Sequence, residues 1–145
     1  MKIYWFLLLA FAPLLLAGCS ESQHEEESFE APPPLQTLSG DVFYRERIYV
    51  PPGAKLHITL KDVPDAGKPS TVVARSTILL AGSQPYRFTL DYSPAEIETG
   101  RQYTLHAAIT FYEELLFTSA RRVDPFSNPE DTISIQVTAV GQPED

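Results

Sequence analysis

The sequence predicts an all-β fold: a single antiparallel β-sandwich of about seven strands with one short helical turn. Three observations carry this. From Leu38 onward apolar and polar residues alternate with period two, the pattern of half-buried strands in an antiparallel sheet. Clusters of proline, glycine and asparagine interrupt the alternation at short intervals. The region is roughly 100 residues long, the size of an immunoglobulin-like sandwich. A partly open barrel is the alternative arrangement of the same strands.

The strongest strands come first in the argument. Leu56, Ile58 and Leu60 alternate with Lys55, His57, Thr59 and Lys61. Tyr103, Leu105, Ala107, Ile109 and Phe111 alternate with Thr104, His106, Ala108, Thr110 and Tyr112. Ile133, Ile135, Val137 and Ala139 alternate with Ser134, Gln136, Thr138 and Val140. Weaker alternation marks strands at 40–48, 71–79, 85–91 and 115–121. Pro51-Pro52-Gly53, Pro64-Asp65-Ala66-Gly67, Ala81-Gly82-Ser83 and Asn128-Pro129 read as turns or loops between them. Glu113-Glu114 reads as a tight hairpin that lacks the favoured glycine. Ser93 before Pro94 has the form of an N-cap followed by proline at the first helical position. One helical turn is expected there, with Gly100 to end it.

Ahead of this domain the chain has a different character. Lys2 and the amino terminus supply positive charge, and residues 3–16 are almost purely apolar. Leu16-Ala17-Gly18-Cys19 follows, with small residues before the cysteine as a signal peptidase requires. The four residues form a lipobox. Residues 1–18 are therefore expected to be a lipoprotein signal peptide, cut between Gly18 and Cys19. Diacylglycerol is expected on the Cys19 sulfur, the nucleophile that takes the lipid. Two or three acyl chains hold firmly where one, at about 0.8 kcal/mol per buried methylene, holds marginally. A membrane-spanning helix fits less well: the apolar run is short and an acidic tract follows it with no Lys or Arg stop signal. Ser20 stands where an Asp resembles an inner-membrane retention signal. This favours the outer membrane of a Gram-negative bacterium, with the domain facing the periplasm.

Residues 19–37 contain Glu21, Glu25-Glu26-Glu27, Glu30 and Pro32-Pro33-Pro34. They read as a disordered, proline-stiffened tether. An acidic strip for a basic partner is the other reading, and the spacer is preferred. The sandwich is expected over 38–141 and a disordered tail over 142–145.

Charge narrows the partners. The chain carries a net charge of −8, and removing residues 1–18 takes away Lys2 alone among charged side chains. So acidic a chain repels phosphate backbones, which argues against nucleic acid and against polybasic attachment to anionic lipid. The lone cysteine leaves no intramolecular disulfide, so the domain stands on its core.

No enzyme emerges from the motifs. His24, His57 and His106 are scattered and lack carboxylates or thiols at ligand spacing. His57 and His106 fall on outward strand positions and read as solvated sheet residues. There is no nucleophile elbow and no glycine-rich phosphate loop. Glu113-Glu114 reads as a solvated turn rather than a hydrolytic carboxylate pair. Asn128, Glu130 and Asp131 lack the spacing of a strong calcium loop. No metal, no cofactor and no catalytic residue is expected. Tyr44, Arg45, Glu46, Arg47 and Tyr49 form the cluster of most interest. Tyrosine and arginine are enriched in binding hot spots, so Tyr44, Arg45, Arg47 and Tyr49 are candidate partner contacts on a strand. The plainer reading is a charged edge strand that blocks aggregation. Arg121-Arg122 is a second basic spot, read first as a solvated strand end.

The run Gly40-Asp41-Val42-Phe43-Tyr44-Arg45-Glu46-Arg47-Ile48 leads into Pro51-Pro52-Gly53-Ala54 and then Leu60-Lys61-Asp62-Val63. Pro85, Phe88, Leu90 and Tyr92 to Ile97 follow, then Tyr103, Leu105, Ala107, Ile109 and Leu116-Phe117-Thr118-Ser119. This pattern resembles the YbaY/YscW-type lipoproteins, described in part as type III secretion lipoprotein chaperones, or pilotins. The resemblance spans roughly 38–140. It implies a β-sandwich on an outer-membrane lipid anchor, and for some members the escort of a secretin subunit. It supplies no catalytic residues, and no secretin-binding groove is marked in this sequence. The leading expectation is a non-catalytic binding or structural module. A pilotin is the second, and it predicts an exposed apolar groove or sheet edge. An envelope enzyme or glycan-binding protein is the third, and it predicts convergent aromatics and carboxylates in a concave site.

Overall fold

The computed structural model describes residues 31, 33–128 and 132–141. The signal segment, Gly18, Cys19, nearly all of the acidic tract, and Glu130 and Asp131 of the calcium candidate lie outside the described residues. Seven strands run in chain order: β1 (Gln36–Phe43), β2 (Lys55–Val63), β3 (Val72–Leu79), β4 (Tyr86–Tyr92), β5 (Gln102–Phe111), β6 (Glu114–Ser119) and β7 (Ile133–Ala139). The all-β prediction and the strand number hold.

Hydrogen bonding joins all seven in the order β3-β2-β5-β6-β7-β1-β4. Neighbours are antiparallel except β1 and β7, which run parallel from Gly40↔Ile133 to Phe43↔Gln136. The edge strands β3 and β4 pack near each other without forming a ladder. The two layers expected of a sandwich are thus one sheet rolled almost into a barrel.

Alternation places the core. Leu56, Ile58 and Leu60 of β2 face inward, as do Tyr103, Leu105, Ala107 and Ile109 of β5. Tyr86, Phe88, Leu90 and Tyr92 give β4 a strict buried–exposed alternation, matching the apolar–polar order of its residues. Phe117, Ile135, Val137 and Val42 complete the interior. Asp62 is the only buried charged residue among those described. Its carboxylate accepts from the Thr71 N–H and from Arg101 Nη1 at 3.2 Å, so it meets a counter-charge and a donor rather than an empty core.

The short turn is a 3₁₀ helix over Pro94–Glu96. Ser93 occupies the N-cap position, but its side chain caps nothing. Its backbone carbonyl instead accepts from the Glu96 N–H at 3.0 Å. Gly100 does not end this turn, which is over at Glu96.

The first strand departs from expectation in a way that matters for function. Alternation placed it at 40–48, but it spans Gln36–Phe43. Its antiparallel partner β4 begins at Tyr86, opposite Val42. Beyond that point no ladder remains on that side, and 44–54 crosses the end of the barrel as a loop.

Candidate functional site

Two ends of the barrel follow from register. Gln36 pairs with Tyr92 where β1 enters, and the Tyr92 hydroxyl donates to the Gln36 side chain at 2.7 Å. At the opposite end lie the start of β2, the end of β3, the β5–β6 hairpin, the end of β7 and the loop 44–54. Pairings Lys55↔Leu79, Lys55↔Thr110 and Phe111↔Glu114 bring these together.

Exposed apolar side chains concentrate there. Ile48, Tyr49, Leu79, Tyr112, Leu115 and Val140 are six of the eight large hydrophobics exposed among the described residues. A groove of about 360 Å³ runs between Ile48, Tyr49, Leu115 and Val140, floored by Phe117. On the other side of the hairpin a second groove of about 730 Å³ is lined by Pro52, Lys55, His57, Phe111 and Tyr112. The hairpin is the ridge between them, since Phe111 lines both.

The ridge has an unusual tip. Phe111↔Glu114 closes a two-residue loop, with Tyr112 at φ 45° and Glu113 at φ 68°. Positive φ at both positions matches a type I′ turn, normally Asn-Gly or Asp-Gly because other residues suffer a Cβ clash. The turn residues are Tyr112-Glu113, one position earlier than Glu113-Glu114. Each left-handed residue costs about 1–2 kcal/mol. That strain holds Tyr112 in water, 90 % exposed, with its ring edge-on to Phe111 at 4.4 Å. Strained backbone clusters at functional sites such as ligand clamps, which makes this tip a candidate contact. Replacing Tyr112-Glu113 by Asn-Gly is expected to raise the unfolding free energy by about 1–2 kcal/mol, read as a higher midpoint in urea.

The four candidate partner contacts divide. None lies on a strand. Tyr44 is half-buried and belongs to the core wall: its ring packs on Phe117 at 4.7 Å and its N–H donates to Gln84 at 2.7 Å. Burial, reinforced by hydrogen bonding to Tyr44, leaves the Tyr86 phenol pushed up to about 12. Arg45 and Arg47 are exposed, and neither forms an ion pair among the described residues. Tyr49 is 75 % exposed at the mouth of the smaller groove. Glu46 fixes the loop between them. Its carboxylate accepts from the Arg45 N–H at 3.0 Å and from the Ala139 N–H, at the end of β7, at 3.1 Å. The edge-strand reading of this cluster fails because the side chain of Glu46 takes over where the β1 ladder stops.

His57 and His106 do lie on the outer sheet face, yet they are not simply solvated. His57 bridges Thr77 at 3.1 Å and Thr110 at 2.9 Å through its two ring nitrogens. His106 Nε2 meets the Thr118 hydroxyl at 3.1 Å. Burial, with nearby Lys61 adding to it, holds the His106 pKa below its ordinary value.

Comparison with known proteins agrees with this architecture. Residues 33–137 match the family described as type III secretion system lipoprotein chaperone (YscW). The uncharacterized lipoprotein YbaY of Escherichia coli (strain K12) is 32 % identical over 135 residues, covering 88 % of this chain and 68 % of that protein. A solved structure, an alternative pilotin from the type II secretion system of Vibrio cholerae, superposes with a TM-score of 0.68 at 30 % identity. It covers 75 % of this chain and 100 % of that one. The protein is a member of the YscW lipoprotein chaperone family.

Proposed function

We propose that this protein is a pilotin-like chaperone: exported, cut before Cys19, acylated there, and held on the periplasmic face of the outer membrane. Its barrel takes an apolar segment of a secretin subunit at the hairpin end. One observation carries this reading. Exposed apolar residues crowd the end of the barrel opposite Gln36, where the chain enters. β1 spans about 25 Å between the ends, at ~3.3 Å per residue. A chain tethered through residues 19–35 therefore carries its apolar surface on the end remote from its point of attachment. An apolar patch on a soluble face marks an interaction site, and a secretin segment joins it by lying in a groove. Exposed Arg45 and Arg47 beside Tyr49 favour a segment that also carries acidic residues.

The test uses the full chain in a strain that makes a secretin. The native chain is expected to label with palmitate, fractionate with the outer membrane and recover the secretin from envelope extracts. Cys19→Ser is expected to lose label and membrane association while still recovering the secretin. Palmitate label on the Ser variant refutes the anchor. Failure of the native chain to recover any secretin refutes the chaperone role.

A further inference from the structure

A third concave site lies toward the end where Gln36 enters, on the outer face of β2, β5 and β6. It holds about 330 Å³ and is lined by Lys61, Thr104, His106, Arg121 and Arg122. Lys61 pairs across the ladder with Thr104, and His106 follows two residues along β5 on the same face. Arg121 and Arg122 come from the segment after β6. Backbone bonds anchor that segment at both ends: the Ala120 N–H donates to Gln136 at 3.0 Å, and the Val123 carbonyl accepts from the Leu105 N–H at 2.8 Å. The two arginines are thus placed by the sheet.

Charge makes this cluster unusual. Acidic side chains outnumber Lys and Arg by 19 to 11, yet among the described residues none is an ion-pair partner of these cations. The ion pairs among the described residues join Arg87 to Asp41, and Arg101 to Asp62 and Glu98. No ion pair among the described residues offsets the mutual repulsion of Lys61, Arg121 and Arg122, as a site that receives an anion requires. Arginine presents planar forked donors that match phosphate oxygens in pairs. A phosphomonoester brings about −1.5 to −2 charge, well matched to three neighbouring cations. The acidity of the rest of the chain disfavours an extended polyphosphate, so a single group fits best.

We propose that Lys61, Arg121 and Arg122, with His106 and Thr104 beside them, form a binding site for a phosphate group, borne by a lipid headgroup or by a soluble phosphoester. The proposal is independent of secretin binding.

The test uses the mature full chain carrying Cys19→Ser, so that no acyl chain holds it to lipid. Inorganic phosphate is titrated at constant ionic strength against chloride, with the His106 ring signals followed by NMR. Saturable shifts are expected with phosphate and not with chloride. Arg121→Gln/Arg122→Gln is expected to weaken them about ten-fold, the size of a lost charge-assisted contact, with the urea midpoint unchanged. Tyr49→Ala, at the other end, is expected to titrate as the parent. Flotation with phosphatidate-containing vesicles, against phosphatidylethanolamine alone, separates the sources. Arginine-dependent flotation assigns a headgroup. Phosphate binding without flotation assigns a soluble ester. Equal shifts with chloride, or a double variant that titrates like the parent, overturn the site.

Discussion

Gly40→Ala is expected to destabilise the domain by about 3 kcal/mol, at the upper end of what overpacking costs. Gly40 lies in the middle of β1, and a β-carbon built there falls on the Ile133 carbonyl oxygen and meets the Ile133 side chain and the Phe88 ring edge, each at 2.9 Å. Its backbone torsion is not left-handed, so alanine is refused for lack of room rather than for conformation. A side chain such as Phe88 can rotate away, but the Ile133 carbonyl is backbone within the β1–β7 pairing. Among the described residues that pairing is the only parallel seam in the sheet. Forcing it apart separates β1 and β4 from the other five strands. Urea unfolding followed by tyrosine fluorescence measures the effect. A loss below about 1 kcal/mol would mean that the seam yields without cost and that the close approach is not needed for the fold.

If the proposed chaperone role holds, Tyr49→Ser combined with Leu115→Ser is expected to weaken secretin binding at least about thirty-fold, while stability changes by no more than about 1 kcal/mol. Both residues line the smaller groove, and both are exposed. Truncating an anchoring aromatic at an interface costs about 2 kcal/mol or more, which converts to that factor. Surface substitutions away from core and caps usually shift stability by less than about 0.5 kcal/mol each. The matched control is Leu35→Ser, an exposed apolar residue just before the entry strand, expected to leave binding intact. Titration of purified secretin subunit against each variant supplies the comparison. Equal loss in the control, or none in the double variant, moves the site away from the hairpin end.

The interior was legible because the strand period is a local property. Leu56, Ile58 and Leu60, or Tyr103 through Ile109, declare their inward face within a few residues. The boundary of β1 was not, because Tyr44, Glu46 and Ile48 continue the alternation after the partner strand has run out. Nothing near Gly40 announces that Ile133, far along the chain, runs parallel beside it. The apolar end was hidden for a related reason. Ile48, Leu79, Leu115 and Val140 come from separate loops and strand ends, each unremarkable alone, and only the register gathers them. Tyr49 was marked by its type, although on the wrong kind of element. Arg121-Arg122 was visible as a pair, but Lys61 and His106 join it only across the β2–β5–β6 ladder.

The order of strands around β1 has a mechanical meaning. A load applied between the N-terminal segment and a partner seated on the hairpin ridge enters at Gln36 and runs along the axis of that strand. β4 flanks it on one side and β7 on the other. Inter-strand hydrogen bonds lie across such a pull, so β1 must slide past both neighbours in shear rather than peel away one bond at a time. The first strand of the domain is thereby braced on both sides against traction from its N-terminal end.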